Sequence, residues 1–246
     1  MNIHEYTAIG NAHRDHNEDS SFVFTEDNEF VVLAVMDGCS SGTESYFASG
    51  LIRKLLKKNV KQLAYLGFVK KEFPEKEVLL KTLLFAVFED LKQIKQSLYL
   101  SENELLSTLL LSVYNISQKS AITSVSGDGF VFSNNSYKEF DSNNKPDYMA
   151  YHLNDSFEKW YACNQEILHT EKLDNFGLST DGIKSFYNPS QSSLKEKIGI
   201  NPFHYFFFDE DFDSKSNVIK MRYEKLKNEY GIENLDDIAM IRLVNV

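Results

Sequence analysis

The stretch Val31-Val32-Leu33-Ala34-Val35-Met36-Asp37-Gly38-Cys39-Ser40-Ser41-Gly42 begins as an uninterrupted apolar run and ends on a carboxylate followed by small, bendable residues. A Val-rich run of this kind fits a strand buried on both faces. Gly38 then permits a sharp turn, which leaves the Asp37 carboxylate at the rim of a core. Asp-Gly alone is an ordinary turn signal. Recurrence gives it weight. Glu18-Asp19 precede Phe22-Val23-Phe24, and Gly127-Asp128-Gly129 follow Ile122-Thr123-Ser124-Val125. Ser179-Thr180-Asp181-Gly182 close another apolar run, and Asp236-Asp237 precede the last one.

Carboxylates gathered at one end of a sheet repel one another and resist ionisation unless a cation compensates. Hard oxygen ligands of this kind select Mg²⁺ or Mn²⁺ over zinc. Two such ions can activate a water near neutral pH and hold a phosphate oxygen for in-line attack. A forked guanidinium matches the remaining phosphate oxygens, and Arg14 lies beside the acidic turn at Glu18.

Working outward, residues 20–24 and 30–36 read as a hairpin through the polar turn 26–29, with residues 3–9 as a further strand. The pairing predicts that Glu18 and Asp19 lie near Asp37. Phe47, Leu51, Ile52, Leu55, Leu56, Val60 and Leu63 predict a helix over 43–65. Leu80, Leu84, Val87, Leu91, Ile94 and Leu98 predict a second one after Pro74. Short runs at 108–113, 121–125, 130–132, 148–153, 160–168 and 176–179 read as successive antiparallel strands. The region 182–212 reads only as short helices and loops. A helix over 214–230, stopped at Gly231, precedes a closing strand over 238–244.

The 246 residues, 42% of them apolar, suit one domain spanning 1–246. With 36 acidic against 26 basic side chains and a net charge of −10, an electrostatic grip on nucleic acid is disfavoured. The N-terminus lacks the pattern of a secretion signal, and no apolar stretch is long enough for a membrane helix. The two cysteines, Cys39 and Cys163, suit a reducing compartment. A cytoplasmic protein with no membrane partner is the expectation.

The acidic motifs, in their order along nearly the whole chain, resemble those of the metal-dependent type 2C protein phosphatases in their compact bacterial form. Arg14-Asp15-His16-Asn17-Glu18-Asp19-Ser20 is similar to the first motif, Val35-Met36-Asp37-Gly38 to the second, and Ser107-Thr108 with Gly127-Asp128-Gly129 to the paired central strands. Ser179-Thr180-Asp181-Gly182 and Asp236-Asp237-Ile238-Ala239 resemble the last two. The resemblance implies an α+β fold, a four-layer α-β-β-α sandwich of two antiparallel sheets flanked by helices. It implies two Mn²⁺ or Mg²⁺ ions at one end, which activate a water to hydrolyse phosphoserine or phosphothreonine on a phosphoprotein substrate. A cognate Ser/Thr kinase is the partner it suggests.

By the same resemblance, Asp37 bridges the ions, Asp181 and Asp236 serve one, and Glu18 and the Gly38 carbonyl serve the other. Asp19 supports them through water, Asp128 can contact a weak third ion, and Arg14 binds the substrate phosphate. Two positions depart from the pattern. Cys39 stands where many relatives carry a histidine that protonates the leaving oxygen, and Ser185 replaces an aspartate associated with the third ion.

Other phosphatase chemistries fit less well. A cysteine nucleophile needs an arginine six residues on, where Ser45 and His169 stand. A phosphoaspartate mechanism needs an acid at Cys39. The competing reading is a degenerate phosphatase fold that binds a phosphoprotein without turning it over.

Overall fold

The computed structural model describes residues 1–13, 15–25, 29–42, 44–70, 74–142, 145–163, 166–190, 199–209 and 217–245. Its strands begin with β1 (Asn2–Ala8), β2 (Asp19–Phe24) and β3 (Phe30–Asp37), followed by the helices α1 (Ser45–Lys70) and α2 (Lys76–Ser97). Then come β4 (Leu109–Asn115), β5 (Ser120–Ser126), β6 (Gly129–Ser133), β7 (Ser136–Phe140), α3 (Phe157–Cys163), β8 (Glu166–Thr170) and β9 (Asn175–Ser179). The chain closes with β10 (Phe186–Tyr187), α4 (Pro202–Phe207), α5 (Val218–Tyr230), β11 (Glu233–Asn234) and β12 (Ile238–Val244).

The strands form two five-stranded antiparallel sheets, ordered β2-β3-β4-β5-β8 and β1-β12-β9-β6-β7, and a small β10-β11 pair. Strand β3 shows why they stack. Its successive side chains point to opposite faces. Val32, Ala34 and Met36 join Ile52, Leu56, Leu80 and Leu84 of α1 and α2, whereas Val31, Leu33 and Val35 meet Phe176, Leu178 and Ile241 of the second sheet. Both faces of β3 are therefore covered, which accounts for the unbroken apolar run.

The outer face of the second sheet carries its own layer. Phe130, Phe132, Ile238 and Met240 pack against Phe206 and Phe207 of α4 and Ile219, Tyr223 and Leu226 of α5. The Asn217 side chain caps α5 by accepting from Lys220 N–H, and Gly231 ends it in the left-handed conformation at φ 61°. The architecture is thus the expected α-β-β-α sandwich.

Two stretches differ from the sequence reading. Residues 148–153 form no strand; Met149–His152 is a short 3₁₀ helix that tucks Met149 and Ala150 into the core beside α3. Residues 160–163 end α3, so only Glu166–Thr170 of that stretch joins a sheet. In each case closely spaced apolar residues were compatible with either period. Strand β7 was missed because, apart from Phe140, it is exposed and polar.

A buried arginine fastens α4 to the second sheet. Arg242 of β12 donates from Nη1 to the Phe206 carbonyl at 2.8 Å and from Nε to Asn175 Oδ1 at 2.9 Å. Burial pushes its guanidinium pKa down to about 9, still charged at neutral pH. Arg242→Met leaves these carbonyl acceptors buried without that donor and should lower the unfolding free energy by about 2–4 kcal/mol, read by urea denaturation. Arg242→Lys should recover little of it, because an ammonium lacks the fork that spans both acceptors.

Candidate active site

The β2–β3 register sets Asp19 directly opposite Asp37 at one end of the first sheet. Asp37 is fixed by its own backbone. Its N–H donates to Thr108 Oγ1 at 2.9 Å, and Thr108 N–H donates to the Asp37 carbonyl at 2.8 Å. Gly38 N–H donates to the Glu18 carbonyl at 3.1 Å. At Gly38 a Cβ would lie 1.9 Å from the Ser45 carbonyl oxygen, so only glycine lets the strand end pass beneath α1. The start of α1 then holds Glu18: Ser45 Oγ donates to Glu18 Oε1, and Ser49 Oγ donates to the Glu18 carbonyl.

The second sheet delivers the other acids. Thr180, just after β9, accepts from Ala239 N–H at 2.9 Å while its hydroxyl donates to Asp19 Oδ2, so one oxygen ties the two sheets together. Asp181 opens the 3₁₀ turn Asp181–Ser185. Ser185 Oγ accepts from Asp236 N–H at 3.1 Å and donates to the Gly182 carbonyl at 2.7 Å. The residue that departs from the family pattern thus joins the last two motifs. Asp128 Oδ1 accepts from Ser142 N–H at 2.9 Å, and the Asp128 charge acts on Asp181.

Asp236 and Asp237 separate sharply, with side chains 52% and 1% exposed. Asp236 faces Asp181, whereas Asp237 is buried in structural work. Its Oδ1 accepts from Gly10 N–H at 2.7 Å and its Oδ2 from Glu18 N–H. Cys39 is half-buried, with Sγ 3.0 Å from Ser41 Oγ and a further hydrogen bond to the Tyr148 hydroxyl. Arg14 lies outside the described residues.

Among the described residues the electrostatics are those of a crowded acid cluster, with Lys184 partly offsetting the repulsion at Asp181. Burial, and then the Asp19 and Asp181 carboxylates, push Asp37 well above the usual carboxylate range. Burial likewise raises Asp19, with which Asp37 shares a hydrogen bond. Asp181 is raised by burial and by Asp236. Burial of Tyr148, reinforced by Cys39 and Asp37, raises its phenol too.

The predicted acids Glu18, Asp19, Asp37, Asp128, Asp181 and Asp236 therefore come to one end of the sandwich, half from each sheet. Among the described residues no three acidic, histidine or cysteine side chains converge tightly enough to hold an ion as they stand. Sequence reasoning quoted Thr108, Thr180 and Asp237 within their motifs but gave them no role, and it missed His13 and Tyr148. The doubling of Asp236-Asp237 was the one available signal for a supporting acid; the hydroxyls carry none without the register.

A two-sheet sandwich with helices outside and acids from both sheets at one end is the architecture of a protein phosphatase. The model for protein phosphatase 2C matches residues 9–217, and the chain belongs to that family of protein serine/threonine phosphatases. Solved structures agree. An arginine variant of a bacterial serine phosphatase superposes with a TM-score of 0.65 at 15% identity, covering 100% of this chain and 99% of that one. The serine/threonine phosphatase Stp1 from Staphylococcus aureus gives 0.59 at 13% identity, over 100% and 96%. RsbX in complex with magnesium gives 0.53 at 15%, over 98% and 94%. At these identities the likeness is one of fold. No curated protein matches in sequence. No helix among the described residues is long and apolar enough to cross a membrane.

Proposed function

We propose that this chain hydrolyses phosphoserine and phosphothreonine on protein substrates with two divalent cations, Mn²⁺ or Mg²⁺, held at the acidic end. The observation that carries the reading is the acid cluster itself, in which Asp19 is buried, Asp37 and Asp181 are half-buried beside it, and all three carboxylates are raised by their removal from water and then by neighbouring acids. The donor set fits such ions: it is all hard oxygen. The shared Asp19–Asp37 hydrogen bond is a contact that a cation would replace. Magnesium accompanies the similar fold of RsbX.

In this reading Asp37 would be shared by two ions, Asp181 and Asp236 would help to hold one, Glu18 and the Gly38 carbonyl the other, Asp19 would support them through water, and Asp128 would contribute to a weaker third site. When bound, such ions supply an activated water and positive charge for the phosphate oxygens. The chain's own residues do the rest. Thr108 and Thr180 orient Asp37 and Asp19. Ser45 and Ser49 orient Glu18. Arg14, from its motif, would take the substrate phosphate, and Cys39, hydrogen-bonded to Tyr148, stands where the family pattern puts the proton donor to the leaving oxygen. The substrate is a phosphoprotein, and a cognate kinase would complete a reversible circuit.

Chelation tests this directly. Protein treated with EDTA and desalted should lose hydrolysis of p-nitrophenyl phosphate and of a phosphothreonine peptide, and added Mn²⁺ should restore both by at least ~100-fold over the chelated blank. Folded protein that turns over neither compound at saturating Mn²⁺ and Mg²⁺ would leave the binding-module reading in its place.

A further inference from the structure

The loop between β1 and β2 closes on a single buried carboxylate. Asp237 takes Gly10 N–H at one end of that loop and Glu18 N–H at the other. Between them, Asn11 N–H and Ala12 N–H donate to the carbonyls of Asn234 and Leu235, at 3.0 and 2.8 Å, laying the loop along the approach to β12. Inside this frame sits His13. Its Nδ1 is 3.0 Å from Asp237 Oδ2 and 3.9 Å from Asp236 Oδ1, and its Nε2 is 3.9 Å from Glu18 Oε1. The ring is 22% exposed. One imidazole is thus set between acids of the first and last motifs, seated on the carboxylate that pins the backbone of both.

We propose that His13 is a positioning residue of the catalytic centre: seated on Asp237, its ring spaces the Glu18 and Asp236 carboxylates and thereby sets the affinity of the site for a divalent cation. The inference rests on the cation-dependent reading above. Nδ1 lies 3.0 Å from the Asp237 oxygen that also receives Glu18 N–H, too poorly aligned for a hydrogen bond, so the ring bears on that carboxylate by close contact and the loop carrying Glu18 rests on it. The ring's bulk keeps the Glu18 and Asp236 side chains from collapsing onto the inner acid. Partners one shell out from a cation typically change its affinity by 10–100-fold when removed. An ordinary loop histidine would affect folding alone.

The test is isothermal titration calorimetry of Mn²⁺ and, separately, Mg²⁺ into chelated, desalted full-length protein, for the wild type, His13→Ala and His13→Asn, with thermal unfolding of each metal-free protein as the control for folding. His13→Ala should bind both ions about 10-fold more weakly. His13→Asn, whose amide keeps a planar polar group against Asp237, should return to within about 3-fold of the wild type for both. His13→Ala with wild-type affinity, whatever its unfolding temperature, overturns the proposal. So does a loss confined to Mn²⁺, because a nitrogen bound directly to the ion would discriminate in that way. If His13→Ala fails to fold, His13→Asn decides: an affinity 10-fold below the wild type in a folded protein overturns the proposal, and one within about 3-fold supports it. Wild-type protein that binds neither ion overturns the cation-dependent reading itself, which separates that failure from one specific to His13.

Discussion

Asp37→Asn is expected to reduce turnover of p-nitrophenyl phosphate by at least ~1000-fold at saturating Mn²⁺ while leaving the metal-free protein no less stable than the wild type. The two halves of this expectation have one cause. Asp37 is half-buried opposite Asp19 and within the field of Asp181, so its charge is opposed by its surroundings. The amide keeps the side chain's shape and removes the repulsion; it also removes the central anionic donor. The sign of the pH effect follows. Folding raises the affinity of Asp19 and Asp37 for protons, so the folded state keeps protons that the unfolded chain releases above about pH 4. Metal-free wild type should therefore lose stability as pH rises from there, and Asp37→Asn should lose less. Urea denaturation at several pH values checks this, and a variant that is both active and equally pH-sensitive would remove Asp37 from the centre of the site.

Gly182→Ala should be the most disruptive single methyl near the active site. A Cβ at residue 182 would lie 1.7 Å from the Asp237 carbonyl oxygen, a backbone atom that cannot rotate away. Either the Asp181–Ser185 turn lifts or the start of β12 retreats. Both movements part Asp181 from Asp236, and the second also disturbs the carboxylate that holds Gly10 and Glu18. Activity should fall by at least ~100-fold and stability by about 3 kcal/mol, at the upper end of ordinary overpacking. Gly50→Ala is the matched control. It lies in α1 with nothing within 4 Å of the added atom, so it should be fully active and more stable by about 0.5–1 kcal/mol. Urea midpoints and p-nitrophenyl phosphate kinetics on the pair separate crowding from the mere presence of a methyl.

The strands that form the centre of the sandwich were legible because both of their faces are covered. The run 30–36 carries its own answer, since few other environments tolerate so many consecutive apolar side chains. The hairpin prediction held to the residue that matters, with Asp19 facing Asp37. Residues 148–153 and 160–163 were misread because Tyr148, Met149 and Trp160 are anchored by neighbours distant in sequence, and such anchoring imposes no period. Within the site the carboxylates announced themselves by standing beside glycine at strand ends. Their supports did not: Thr180 and Thr108 look like any strand residue until the register brings them to Asp19 and Asp37. The roles of Asp236 and Asp237 differ only through burial, which adjacent identical letters cannot express.

The Thr180 hydroxyl joins the two sheets at the edge where each contributes its share of acids. Neither sheet owns a working site by itself. A copy whose sheets meet a little out of true would possess every required side chain and remain inert, because the donors would face one another across the wrong gap. Closure of the two sheets, and not either sheet alone, is what sets the spacing of the acids.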